Sequence, residues 1–315
     1  MDRKIVLALC VVLVLGAALF FSGGGDEAKE TVRVSGAWAL YPLMVKWADE
    51  YQKANPGVSI EVNAGGAGKG MADALGGLVD IGMISRDIDK SEIGKGAYPI
   101  AVAKDAVLPT MNRDNPAAQS IRGRGVKMGE FKDVFVTGSV TEWGMLSGRP
   151  DVRDKISVYV RSDSCGAGEV WGKYLGVKQE DLVGVGVNGD PGIAEAVSRD
   201  VRGMGFNNLN FAYDDRTGKP VGNIVIVPLD LNSDGVVSAD EDFYADKSGV
   251  VKAIADGRFP SPPARDLYIV TKGEPKGAAR DFIMWILTDG QGQVLPAGYI
   301  PLKGDAISAE AEKLR

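Results

Sequence analysis

Beyond an apolar N-terminal run, the hydrophobic positions of this chain alternate between a spacing of two and a spacing near 3.6, which predicts short strands interleaved with amphipathic helices. Residues 31–34 read as a strand. Leu40, Leu43, Met44, Trp47, Ala48 and Tyr51 then share one helical face, and Asn55-Pro56-Gly57 closes that helix. A strand at 58–62, a helix at 71–78 and a strand at 80–84 complete a βαβαβ unit. Further on, 158–160, 223–229 and 267–270 read as strands, 166–174 opens a helix, and 278–287 is a helix with Phe282, Trp285 and Ile286 on its apolar side. This alternation predicts an α/β fold with a largely parallel sheet. Prolines at 109–116 and 260–263 interrupt the pattern. The simplest arrangement is one lobe made of 31–108 plus 265–315, with a second lobe, 109–264, inserted into it. Two crossover strands then hinge the lobes around a cleft.

Three glycine-rich turns run straight into helix patterns: Ser35-Gly36-Ala37-Trp38-Ala39, Ala64-Gly65-Gly66-Ala67-Gly68-Lys69-Gly70, and Arg161-Ser162-Asp163-Ser164-Cys165-Gly166-Ala167-Gly168. The first N–H groups of a helix lack internal partners and carry the positive end of its dipole, and glycine lets a ligand approach the main chain. Ligands of open α/β sheets sit at the carboxyl ends of the strands, where these turns fall. With Arg86 and Arg161 beside them, the turns predict a site that desolvates and holds a small oxyanion.

Composition narrows the chemistry. A chain of 315 residues with 45% apolar residues can bury enough for two lobes. Its net charge of −6 and the lack of any basic run argue against a nucleic-acid surface, so an anion must be held by local geometry. The absence of histidine removes the usual general base and the commonest metal ligand, and most hydrolase templates fail with it. Cys165 at a helix start has the position of a reactive thiolate, but it has no histidine partner and a thiolate would repel an anion; the chain reads as a binding protein, not an enzyme. Charged residues 2–4, an apolar run at 5–21 and Ser22-Gly23-Gly24-Gly25 make 1–25 an export signal, either cleaved or kept as a membrane anchor. Cys10 lies within it, so no disulfide forms inside the exported part.

A second motif stands apart. Residues 230–241 match the twelve-residue calcium loop, with Asp230, Asn232, Asp234 and Ser238 at positions one, three, five and nine, Gly235 at six and Glu241 at twelve. Val236 supplies its backbone carbonyl at position seven. The plain alternative is an acidic surface turn; the full register favours a lone, structural calcium ion that rigidifies a long connection in the inserted lobe.

Several segments in order resemble the extracytoplasmic phosphate-binding proteins that feed phosphate-import ABC transporters. They are Ser35-Gly36 with Leu40-Tyr41-Pro42-Leu43 and Lys46-Trp47, Gly65-Gly66-Ala67-Gly68, 79–86 ending in Ser85-Arg86, Phe135-Val136-Thr137-Gly138 with Trp143, Arg161 through Gly166, and Gly298-Tyr299-Ile300-Pro301-Leu302. The resemblance implies a two-lobed periplasmic-binding-protein (venus-flytrap) fold, a monomer outside the cytoplasm, that closes on inorganic phosphate and presents it to an ABC permease. Carried onto this chain, the ligand positions are Ala37, Trp38, Ala39, Ala67, Gly68, Arg86, Arg161, Cys165, Gly166 and Ala167. Many of them have lost the family's hydroxyl: Ala37, Trp38 and Ala39 in the first turn, Ala67 in the second, Cys165 and Ala167 in the third. Each lost hydroxyl removes about 0.5–1.5 kcal/mol, or about 1.5–3 against a charged acceptor. Arg86 stands where some members place an aspartate, and can grip oxygens bidentately. Sulfate, molybdate or tungstate are therefore alternatives to phosphate, as is a membrane-tethered sensory or scaffolding protein that kept the fold and lost the ligand. Trp38 either pads the lobe interface or walls water from the anion, Lys69 is either solvated or in contact with it, and Asn207 and Asn208 are candidates for the opposite cleft wall.

Overall fold

A computed structural model of the chain describes residues 29–315. The expected export signal at 1–25 lies outside the described residues, and among those described no helix is long and apolar enough to cross a membrane. The strands are β1 (Glu30–Gly36), β2 (Val58–Ala64), β3 (Ile81–Ile84), β4 (Ala97–Asn112), β5 (Ser157–Arg161), β6 (Val185–Val187), β7 (Gly203–Asn208), β8 (Ile224–Ile226) and β9 (Ala264–Lys272). The helices that position the site and its surroundings are α1 (Tyr41–Ala54), α2 (Ala67–Gly76), α3 (Ala118–Arg124), α4 (Gly166–Tyr174), α5 (Gly189–Arg199), α6 (Lys247–Ala255) and α7 (Gly277–Leu287).

The predicted βαβαβ unit is present, with β1 between β2 and β3 and all three parallel. Its first helix buries Leu43, Met44, Trp47, Ala48 and Tyr51, the face that the spacing marks out, and opens with Pro42 where a missing N–H costs nothing. The sheet as a whole is mixed rather than largely parallel. Its order is β2-β1-β3-β9-β4-β7-β5-β6, with β8 also on β4, and the β3–β9, β4–β9, β4–β7 and β4–β8 pairings are antiparallel. The reason is topological: β4 leaves the first lobe and β9 returns to it, so the two crossings run in opposite directions side by side.

The break expected at 109–116 contains the end of β4 at Asn112, but Pro109 itself lies within the strand. β4 runs 16 residues, through Pro99 and Pro109. Proline removes a donor but keeps its carbonyl, and Pro109 O accepts Val227 N–H at 2.9 Å, so the ladder survives. Two cores lie on either side of this crossing. One gathers Val34, Leu43, Trp47, Ile81, Ile269 and Phe282; the other gathers Phe131, Phe135, Trp143, Trp171, Phe206 and Leu229. Trp171 holds the second together, with Phe131 edge-on at 5.1 Å and Phe206 stacked at 5.9 Å.

Candidate functional site

The three glycine turns meet. Gly36 O accepts the N–H groups of Gly65 and Gly66 at 2.9 and 3.0 Å, which joins the first turn to the second. Gly68 N–H donates to Ser164 O at 3.3 Å, which joins the second to the third across the lobe boundary. Backbone packs on backbone here: a Cβ on Gly66, at φ +93°, would lie 2.7 Å from Ser164 O, and one on Gly166 would collide with the carbonyl and hydroxyl oxygens of Ser85. Glycine is required at these positions because the lobes close on each other through main chain.

Around this meeting point stand the N-terminal ends of α1, α2 and α4. The N–H groups of Trp38, Ala39, Ala67, Gly166 and Ala167 meet no acceptor among the described residues, as expected for first-turn donors. Three members of the expected set differ. Ala37 N–H donates to Met83 O at 2.8 Å and Gly68 N–H to Ser164 O, so both are spent on holding the turns together. Cys165 N–H is taken by Gln179 Oε1 at 3.1 Å, leaving its thiol as the polar group, and that sulfur accepts Gly168 N–H at 3.2 Å. Burial, ahead of the opposing pull of Arg161, pushes the Cys165 thiol up to about 12, so it stays protonated at neutral pH. A neutral S–H can donate to an anion, whereas the expected liability of a thiolate would be repulsion. The side chains of Ala37, Ala39, Ala67 and Ala167 are buried, so these positions offer methyl groups and no side-chain donor.

Both guanidiniums point inward, but their donors are largely committed. Arg161 has a fully buried side chain; its Nε and Nη2 bond both oxygens of Asp163 at 2.8 and 2.5 Å, and Nη1 bonds Asp190 Oδ2 at 2.5 Å. Burial disfavours its charge, but Asp190 and Asp163 outweigh this and hold it protonated. Three of five N–H groups are thereby used, which leaves one on each Nη. Asp163 is partly buried, yet Arg161 and the Gly189 N–H keep its carboxyl below the usual carboxylate range.

Arg86 departs from the expected anion grip. Its fork closes on Glu92, at 2.7 and 2.9 Å, and Nη1 also bonds Asp87 O. The cause is local: Asp89 and Glu92 form a capping box on the short helix that follows, which holds the Glu92 carboxylate beside Arg86. Arg86 Nε lies 3.1 Å from Glu169 of α4, so this arginine is a latch across the cleft, and Asp87 pairs with Lys173 of the same helix as a second latch. Trp38 pads the interface: it meets Phe211 of the other lobe edge-on at 6.2 Å. Lys69 is half exposed to solvent and pairs with Asp73, which also accepts the Ser35 hydroxyl at 2.6 Å. Asn207 and Asn208 lie beneath the site, where both bond Asp190.

Sequence reasoning missed Asp190, Asp105 and Arg265. Asp190 opens α5 after a left-handed Gly189, the same turn-into-helix signal as the other three, and that signal could have found it. Arg265 is buried at the start of β9, donates to Gly166 O at 2.7 Å and to Asn208 Oδ1, and faces Asp105 Oδ2 of β4 at 3.3 Å. It joins both crossover strands to the third turn. A cavity of about 940 Å³ opens beside this hub, lined by Arg86, Lys104, Arg161, Ser164, Glu169 and Arg265 among others.

Burial pushes the Asp105 carboxyl up to about 6, against the opposing effect of Arg265. A carboxyl raised on folding stabilises the fold fully below its unfolded value of 3.8 and loses that contribution as pH rises through 6. Asp105→Asn should therefore flatten the fall in stability between these two pH values, read by urea unfolding of both proteins across that range. An unchanged slope places the titration elsewhere.

The profile of the PBP superfamily domain matches residues 22–290. Among curated proteins, the chain is 26% identical over 311 residues to the phosphate-binding protein PstS of Xylella fastidiosa, covering 88% of this chain and 83% of that one. It is 25% identical to the phosphate-binding protein PstS of Bacillus subtilis, over 91% of this chain and 86% of that one. Among solved structures, it superposes with a TM-score of 0.69 and 26% identity on a putative phosphate ABC transporter substrate-binding protein with bound phosphate from Clostridium perfringens, covering 87% of this chain and all of that one.

Proposed function

The chain belongs to the PBP superfamily, and from that premise we propose that it is an extracytoplasmic receptor that captures inorganic phosphate between its lobes and delivers it to an ABC importer. The observation that carries this reading is the meeting of three helix N-termini beside Arg161, with five N–H groups free of other acceptors among the described residues. Phosphate loses its water on entering such a crevice, and oriented amides replace it at no reorganisation cost. The protein acts as a monomer that offers its closed form to a permease, and its chemistry is binding rather than catalysis.

Backbone amides carry most of the recognition, since the side chains that could donate have become Ala37, Ala39, Ala67 and Ala167. Amides only donate, so a ligand fully stripped of protons suits them as well as a protonated one does; the neutral thiol of Cys165 adds a side-chain donor beside them. Titration calorimetry with phosphate is expected to give saturable heat, with arsenate following it because size and charge are shared. Tighter binding of sulfate, molybdate or tungstate would reassign the ligand.

One observation favours a second reading. Arg161 is neutralised by two carboxylates, Asp163 and Asp190, in a site whose hydroxyls have gone, which is the pattern expected of a fold that has kept its hinge for sensing or scaffolding and has lost its anion. The same titrations separate the two, because heat from none of the five anions between about pH 5 and 9 leaves only this reading.

A further inference from the structure

The loop after β8 lies far along the chain from the three turns, and the oxyanion reading makes no use of it. It spans residues 230–241 and is docked on the end of α3: Asp230 N–H donates to Val126 O at 3.0 Å and Val237 N–H to Gly123 O at 2.9 Å. Ser233 takes φ +63°, the positive-φ non-glycine residue of the described chain, and Gly235 takes φ +80°. These reversals turn the first six residues inward, so that Gly235 N–H reaches back to Asp230 Oδ2 at 2.9 Å. The neighbouring turns follow from side chains at odd positions: Asp234 N–H donates to Asn232 Oδ1 and Val236 N–H to Asp234 Oδ1.

These turns alone mark no ligand, since an acidic surface loop forms them as readily. The decisive group is Asp230. It is only 4% exposed, its Oδ2 is turned to the sixth residue of the loop, and its Oδ1 is buried with no hydrogen-bond partner among the described residues. A buried carboxylate oxygen left without a donor is unfavourable, and it sits where the first ligand of a calcium loop belongs. Glu241, also 4% exposed, closes the far end. Burial opposes its ionisation, but N–H donors from Ser238, Leu231 and Asn232 hold its carboxyl below the usual carboxylate range, so it is an anion at neutral pH.

We propose that residues 230–241 bind one calcium ion, through the carboxylates of Asp230, Asp234 and Glu241, the Asn232 amide oxygen, the Val236 carbonyl and Ser238. All six donors are oxygen, which selects a hard cation, and the three carboxylates more than neutralise its two charges. Among the described residues no acidic side chains are drawn together tightly enough to clasp a metal as they stand. Glu241 is the reason, because Oε1 is engaged by the Leu231 and Asn232 N–H groups and Oε2 by Ser238. Calcium binding exchanges these contacts for the ion and supplies the missing partner to Asp230 Oδ1. Two cations bond the loop through its backbone: Lys127 Nζ donates to Ser233 O at 2.7 Å and Arg258 Nη1 to Asp240 O at 3.4 Å. The effect is to fix the connection between β8 and α6 against α3, at a distance from the cleft.

The test uses the full chain in phosphate-free buffer, with calcium chloride as the probe and magnesium chloride as the comparison. Calorimetry should give one site with a dissociation constant of about 10⁻⁴–10⁻³ M or tighter, the range of extracellular calcium modules, and little response to magnesium. Melting should shift upward in calcium relative to chelator. Glu241→Gln should weaken calcium at least tenfold. Since Glu241 also ties the loop together, Asp234→Asn serves as the second variant: its side chain is exposed and its amide oxygen can still accept the Val236 N–H, so it should melt as the parent does in chelator and show a smaller calcium shift. Equal melting of the parent in calcium and chelator with no saturable heat overturns the proposal, as does calcium binding that both variants leave intact.

Discussion

Arg161→Ala is expected to lose about 3–5 kcal/mol of folding stability together with phosphate binding. The side chain is fully buried and is the cation between Asp163 and Asp190, so truncating it strands one buried and one partly buried carboxylate. The two losses have different causes, and a second variant separates them. Arg161→Ala combined with Asp163→Asn and Asp190→Asn removes the stranded charges and should recover much of the stability, measured by urea unfolding. It should still bind phosphate at least tenfold more weakly than the parent, because the two guanidinium N–H groups not spent on Asp163 and Asp190 are gone. Parental affinity in that triple variant would remove the guanidinium from the site.

Gly166→Ala is the other large effect, and it acts on closure rather than on folding. The added methyl would meet the backbone carbonyl and hydroxyl of Ser85 in the opposite lobe, where neither can withdraw without parting the lobes. Overpacking of this kind costs about 1–3 kcal/mol, which converts to roughly fivefold to 150-fold weaker phosphate binding when the cost falls on the closed state. Small-angle scattering in saturating phosphate should show the variant more extended than the parent. Gly129→Ala, where a Cβ meets nothing within 4 Å, is the matched control and should leave affinity unchanged. If Gly166→Ala binds like the control, the lobes do not close through this contact.

The fold was legible where it depends on local pattern. Leu43, Trp47 and Tyr51 announced the buried face of α1, and Gly166 announced the start of α4, because helix periodicity and first-turn glycines are written within a few residues of each other. β4 was not legible. Pro109 looks like a break to any local reading, and only the partner of its carbonyl, the Val227 N–H, reveals why the strand tolerates it.

The site divides in the same way. Its amides belong to turns that the sequence spells out in full, whereas the partners of its arginines do not. Arg161 meets Asp190 from 29 residues away, and Arg265 meets Asn208 across 57 and Asp105 across 160. Arg86 has a partner six residues on, but that Glu92 takes its fork follows from a cap on the next helix.

By itself, then, the sequence determined most of the segments that become strands and helices, where their amide-rich ends fall, and that alanines and a cysteine stand there, because each of these is set by residues adjacent in the chain. Tertiary structure decided which charges answer which. A guanidinium in a closed crevice takes whichever carboxylate packing brings within reach, and that choice is made by how two lobes meet along β4 and β9.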